Sequence, residues 1–266
     1  MINTMRSKEY IQNYLNDTEH SYNYTHLLND YEKAEYLKLV EKIKKGKTGV
    51  SASNLPAESI EKVCVSFQAD HPELFWISHI YDDGNYLQMM SYNFWSYTLN
   101  PKKYIDIFSA TLDNFVTETN MYHTDAEKIR FVHDSLVRNV SYDLEAADEG
   151  SVQISFLPSK YQFSGTAYGA LVNSSAVCAG YSKAFQVVLN RCGYDCGYIL
   201  GSVPGGYHAW NEIYLYGKRK CFDVTWDDLG TYYEYPNDLR YDYYDVSPEK
   251  MVELEHCPDL IYQNFN

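Results

Sequence analysis

Three residue types, met in a fixed order along this chain, could together carry out nucleophilic chemistry. Cys178 in AVCAGYSKAF opens a predicted helix, His208 in GYHAWNEI lies in a predicted strand, and Asp223 in CFDVTWDD lies in the strand after it. The thiolate, not the thiol, is the nucleophile. A helix N-terminus carries a partial positive charge that favours the thiolate. A neighbouring imidazole can take the thiol proton and later return it to a leaving group. A carboxylate on the far ring nitrogen fixes the tautomer and stabilises the imidazolium. Backbone N–H groups at the helix start, that of Cys178 included, can hold a developing oxyanion. Taken singly, each residue has an ordinary explanation as a buried thiol, a core histidine or a turn aspartate. The ordered set singles them out.

The elements that must position this set can be read from periodicity. Tyr181, Ala184, Phe185, Val188, Leu189 and Cys192 recur at helical spacing after Cys178, and Gly193 follows as a stop. Residues 196–203, 207–216 and 219–226 read as three strands. A two-residue turn at Gly217-Lys218 sets Asp223 opposite Glu212, four residues from His208, or about 13 Å along a strand. The same register sets Asp227 opposite His208, so spacing alone leaves Asp223 and Asp227 both open as the orienting carboxylate, Asp223 requiring a bulge or offset strand.

Upstream, residues 4–46 read as helical, with Tyr31, Ala34, Leu37, Leu39 and Ile43 on the apolar side and Gly46 as the cap. SASNLPAES reads as a loop and marks a boundary between a helical N-terminal extension, residues 1–50, and a main domain, residues 51–266. KVCVSF and YLQMMSYNFW read as strands, with DDGN as a turn. Helices are predicted over 102–118 and 124–139. The second opens on a capping box, Thr124 with Glu127, and carries the stripe Ile129, Val132, Leu136 and Val140. His133 beside that stripe reads as structural. Residues 141–165 are polar and irregular, a short helix is expected over 166–172, and the tail from 229 reads as loops with one short helix.

Composition bounds the function. The 266 residues suffice for a buried core, and 28 tyrosines favour a folded chain. A net charge of −14 argues against a nucleic-acid partner and against anionic membrane surfaces. No run has the length of a membrane span, so no membrane insertion is expected. The first twenty residues lack the apolar core of a signal peptide. Cytoplasmic location, or secretion with a leader removed, are both open, as is the oligomeric state. The six cysteines, Cys64, Cys178, Cys192, Cys196, Cys221 and Cys257, do not suggest a disulfide scaffold. Cys192 and Cys196, even with Cys221 and His256-Cys257, complete no zinc pattern, and buried free thiols are expected. Asp227, Asp228 and Asp238 lack the spacing of calcium ligands and read as a solvated surface. No metal and no cofactor is expected.

VCAGYSKAF, GYHAWNEI and CFDVTWDD, in that order, closely resemble the transglutaminase-like superfamily in its bacterial branch. HPELFWI, FVHDSLVRNVSYD and YGALVNSSAVC add to the resemblance, which covers roughly residues 60–250. It implies an α+β fold with a papain-like core, a nucleophile helix packed on an antiparallel sheet. It implies that Cys178 is the nucleophile, His208 the base and Asp223 the orienter of a Cys-His-Asp triad. The implied chemistry is acyl transfer on peptide or protein amides through a thioester, as protease, deamidase or cross-linking enzyme. The substrate would be a protein or peptide. Trp210 and Trp226 are expected to wall the site, and Gln162 or Tyr168 to supply a further oxyanion donor. The alternative is a catalytically silent module that binds peptides or cell-wall material with the same fold.

Overall fold

The computed structural model describes residues 21–45, 49–51, 55–82, 86–91, 101–149, 163–228 and 239–262. Its organising element is the helix that begins at the candidate nucleophile, Cys178–Arg191. Tyr181, Ala184, Phe185, Gln186, Val188 and Leu189 on this helix are fully buried, and Ser182 and Val187 are nearly so. A helix apolar around most of its circumference belongs inside a domain. Its buried polar side chains bond to neighbouring backbone. Ser182 donates to the Ala209 carbonyl at 2.9 Å, and Gln186 donates to the Ala69 carbonyl at 2.8 Å.

In chain order the elements are α1 (Tyr22–His26), α2 (Asp30–Lys44), β1 (Gly49–Ser51), α3 (Ala57–Asp70), β2 (Ile77–Asp82), β3 (Tyr86–Ser91), α4 (Pro101–Thr119), α5 (Asp125–Asn139), β4 (Ser141–Tyr142) and α6 (Leu144–Glu149). There follow α7 (Ala167–Asn173), β5 (Ser175–Ala176), the nucleophile helix α8, β6 (Asp195–Val203), β7 (Gly206–Leu215), β8 (Lys218–Phe222), α9 (Pro248–Glu253) and β9 (Cys257–Pro258). The main sheet runs β8-β7-β6-β9, all antiparallel, with α8 packed on β6 and β7. A second sheet runs β1-β3-β2. This is the α+β arrangement expected for a transglutaminase-like core.

The hairpin between β7 and β8 differs from expectation by one residue. Leu215 pairs with Lys218, so the turn is Tyr216-Gly217. Both turn residues have positive φ, 51° and 75°. That geometry, in a two-residue loop, suits the right-handed twist of the flanking strands. The slip sets Glu212 opposite Cys221 and Asn211 opposite Phe222, the last pair of the ladder. Continued by one residue, the register brings Asp223 level with Trp210, two residues from His208 on the same face. No bulge is needed.

KVCVSF is not a strand. It lies within α3, where Ile60, Val63, Cys64 and Phe67 are buried at helical spacing. Helices α4 and α5 fall where periodicity places them. The Thr124 side chain accepts from the Glu127 N–H, and Glu127 accepts from the Thr124 N–H, completing the capping box. Of the predicted N-terminal helix, residues 4–20 and Gly46 lie outside the described residues. Its described part is α1 and α2. Tyr36, Leu39, Val40 and Ile43 of α2 join the same core as Val63 and Phe67 of α3 and Phe185 of α8, whereas Tyr31 and Leu37 are exposed. DDGN, and YLQMMSYNFW beyond Ser91, also lie partly outside the described residues.

Gly180 sits where α8 meets the segment before α7. A Cβ there would stand 2.4 Å from the Ser164 carbonyl oxygen and 2.7 Å from the Ala176 Cβ. Only glycine permits this approach, and the approach brings the segment 164–166 beside Cys178.

Candidate active site

The site assembles where the start of α8 meets the edge of the main sheet. Cys178 is the first residue of α8 and is half-buried, so its thiol is reachable from solvent. His208, near the start of β7, is buried, with Nε2 2.6 Å from Asp223 Oδ2. Cys178 lines the same cleft and interacts electrostatically with it. Because Nε2 is engaged by Asp223, Nδ1 is the nitrogen left to face the thiol. The structure thus brings Cys178, His208 and Asp223 into one site, with His208 bonded to Asp223 and Cys178 lining the same cleft as His208.

Asp223 is fully excluded from solvent and accepts four hydrogen bonds. Oδ1 accepts from the N–H groups of Thr225 and Trp226 at 3.0 and 3.1 Å. Oδ2 accepts from His208 and, at 3.0 Å, from His256 Nε2. Burial draws the carboxyl up, but the His208 charge and hydrogen bond, together with His256, hold it well below the usual carboxylate range. Burial alone draws His208 down. The Asp223 charge and hydrogen bond outweigh it and, with Cys178, push His208 up to about 10. The imidazolium is therefore the favoured form at neutral pH.

Asp227 does not reach His208. Its Oδ2 is 3.1 Å from His133 Nε2, and both side chains are fully buried. Asp228 accepts from the Tyr181 hydroxyl at 2.6 Å. Two of the three aspartates read as a solvated surface are thus buried, and Asp238 lies outside the described residues. Buried thiols are found at Cys64, Cys196 and Cys221. Cys192 is half-buried and Cys257 is exposed, contrary to expectation.

Trp226 packs against the His208 ring, with centroids 5.3 Å apart, and Trp210 stacks near it at 6.3 Å. Both wall the histidine. Tyr168 lies instead among Phe163, Phe75, Tyr104 and Phe108 in the core. Gln162 falls outside the described residues. The backbone N–H groups of Cys178 and Ala179 have no hydrogen-bond partner among the described residues, as expected in the first turn of a helix. They stand where the sequence places backbone oxyanion donors, whereas Tyr168, expected as a further donor, lies in the core.

A cleft of about 240 Å3 opens over the thiol, lined among others by Cys178, His208, Gly165, Val177, Tyr198 and Tyr207. A neighbouring cavity of about 290 Å3 shares Tyr198 and Leu200 with it and includes Lys183 and Phe75. Lys183, on the nucleophile helix, donates to the Gly165 carbonyl at 2.9 Å and lies 5.4 Å from the Tyr198 ring centroid. Burial pulls its pKa down to about 8, against a pull upward from Cys178. Lys183 and His256 were both missed as site residues by sequence reasoning. Spacing did not flag Lys183, which stands five residues from Cys178 and about 140° around the helix from it.

One group of metal-capable side chains occurs among the described residues: His208, Asp223 and His256, with donor atoms within 4.8 Å of one another. The contacts inside it are those of hydrogen bonds. No helix among the described residues is long and apolar enough to cross a membrane.

Residues 113–226 match the model of the transglutaminase-like superfamily, a stretch that includes Cys178, His208 and Asp223. The chain is 26% identical over 154 residues to the Kyphoscoliosis peptidase of Homo sapiens, covering 52% of this chain and 21% of that protein. It is 29% identical over 116 residues to the Kyphoscoliosis peptidase of Mus musculus, covering 39% and 16%. It thus spans about a fifth or less of the length of these relatives. A crystal structure described as that of a TGase superposes with a TM-score of 0.39 at 17% identity, covering 55% of this chain and 43% of that one. The match identifies the superfamily and no particular branch of it.

Proposed function

Taking residues 113–226 as a domain of the transglutaminase-like superfamily, we propose that this chain is a thiol-dependent acyl-transfer enzyme acting on peptide or protein amides. The observation that carries the reading is His208 Nε2 2.6 Å from Asp223 Oδ2, with Cys178 opening α8 in the same cleft as His208.

In this reading the Cys178 thiolate attacks the carbonyl carbon of the amide, and the C=O electron pair moves onto oxygen. The N–H groups of Cys178 and Ala179, in the first turn of α8, hold that oxyanion. Collapse breaks the C–N bond. The proton on His208 Nδ1 passes to the departing nitrogen, which leaves as ammonia or an amine, and a thioester remains on Cys178. Water or a second amine then attacks the thioester. His208 accepts its proton, the C–S bond breaks, and the thiolate is restored. Asp223 does not exchange protons. It holds the ring so that Nδ1 faces sulfur and stabilises the imidazolium.

The substrate is a protein or peptide segment lying in the cleft over Cys178, with Tyr207, 90% exposed, at its rim. Hydrolysis is favoured over cross-linking by the names of the human and mouse relatives, both peptidases. The test is incubation with glutamine-containing peptides, with and without a primary amine, reading ammonia release, amine incorporation and peptide cleavage by mass spectrometry. The wild-type chain is expected to give at least one product, and Cys178→Ala none. Equal traces from both would leave a catalytically silent binding module as the better account.

A further inference from the structure

His256 lies beyond the segment matched by the family model, three residues after α9, yet it reaches the centre of the site. The ring is fully buried. It sits among Trp226 (4.7 Å between centroids), Trp210 (5.1 Å) and Tyr243 (5.2 Å). Nε2 meets Asp223 Oδ2 at 3.0 Å, the same oxygen that His208 meets at 2.6 Å. Nδ1 lies 3.0 Å from the Leu254 carbonyl oxygen, which fixes the ring plane from the other side. Both ring nitrogens therefore face oxygen acceptors.

We propose that His256 is a positioning residue of the site: it donates to Asp223 Oδ2 beside His208 and so locks the carboxylate in the orientation that aims His208 at Cys178. This rests on the acyl-transfer reading above. The physical case is one of satisfied acceptors. Two backbone N–H groups hold Oδ1, but a carboxylate can still pivot about that end. A second donor on Oδ2 removes this freedom. The titratable groups around His256 are Asp223, His208 and Tyr243 at ring contact. Across the cavity behind it stand Glu212, Arg219, Cys221, Glu249 and Tyr262.

The experiment compares His256→Gln with His256→Phe in the full chain. Glutamine can place its amide N–H where Nε2 stands but lacks the ring. Phenylalanine fills the aromatic box but cannot donate. The first readout is the downfield ring N–H proton of His208 in NMR spectra, which reports the Asp223 bond whether or not Cys178 is reactive. The second is the rate of Cys178 carboxamidomethylation at pH 6. The proposal predicts that His256→Gln keeps the His208 signal and loses about threefold in rate. His256→Phe, folded by circular dichroism, loses the signal and reacts about thirtyfold more slowly or worse. If the role is packing alone, the order reverses: phenylalanine behaves as wild type and glutamine does not. An unchanged His208 signal in both variants likewise overturns the proposal. Failure of the underlying reading is separate: it appears in the wild type as a Cys178 no faster than the other five thiols.

Discussion

Asp227 Oδ2 lies 3.1 Å from His133 Nε2, with both side chains sealed from solvent. This contact separates two carboxylates that sequence spacing alone left open. Asp223 serves His208, while Asp227 ties α5 to the loop after β8. It also accepts from the Tyr243 N–H at 3.1 Å. Asp227→Asn is expected to cost about 3 kcal/mol of stability, because a buried partner is left uncompensated. At temperatures where it is folded, it should label at Cys178 within about threefold of wild type. Asp223→Asn should instead reduce labelling at pH 6 about a hundredfold or more. Thermal unfolding and labelling rates, measured side by side, check both halves.

The coupling of His208 to Asp223 has a pH signature in stability. His208 is raised from an ordinary 6.5 to about 10 in the folded chain. Its contribution is therefore complete below about 6.5 and is lost as pH rises through about 10. Asp223 is depressed, so its contribution is present above the ordinary carboxylate range and fades only in strong acid. The stability gap between wild type and His208→Ala should narrow by at least about 1 kcal/mol between pH 7 and pH 10.5. Urea unfolding across that range measures it, and a constant gap would refute the coupling.

Asp70 anchors the N-terminal helices. Oδ1 accepts from the Asn23 N–H at 2.8 Å and side-chain amide at 2.9 Å, and Oδ2 accepts from the Tyr24 N–H at 2.9 Å and the Tyr36 hydroxyl at 3.0 Å. It thus caps α1 from the end of α3. Asp70→Ala should cost about 2–4 kcal/mol by stranding these donors. Burial, only partly offset by His71 and these donors, pushes the carboxyl up to about 6. A raised carboxyl favours the fold below its unfolded pKa and loses that advantage as pH rises through 6. Asp70→Asn should therefore flatten the change in stability between pH 4 and 7, as followed by chemical unfolding.

Gly180→Ala tests the seat of the nucleophile helix. The added methyl meets the Ser164 carbonyl and the Ala176 Cβ, neither of which is a flexible side-chain end. A loss of about 1–3 kcal/mol is expected, with slower Cys178 labelling as the start of α8 shifts. A variant as stable as wild type would mean that the segment 164–166 can yield.

Much of this arrangement is legible in the sequence, and what is not has physical reasons. Helix α5 can be read because a capping box and an apolar stripe agree. Helix α8 can be read because its buried positions recur over three turns. The run KVCVSF misleads because Val63, Val65 and Phe67 alternate like a strand, while Ile60, the helical partner of Cys64, lies outside the run. The β7–β8 register turns on Tyr216, a non-glycine residue at positive φ, which composition does not announce. His256 is invisible as a partner of Asp223 because the contact spans 33 residues and depends on how the tail folds back.

The account stands or falls on whether Cys178 and His208 form a thiolate–imidazolium pair. The most direct measurement is the pH dependence of Cys178 alkylation in wild type and His208→Ala, resolved by peptide mapping of all six cysteines. The account predicts that wild-type Cys178 reacts fast well below pH 8, ahead of the exposed Cys257, and that His208→Ala shifts it to the profile of an ordinary thiol. A Cys178 that follows the ordinary thiol profile in both proteins would contradict it.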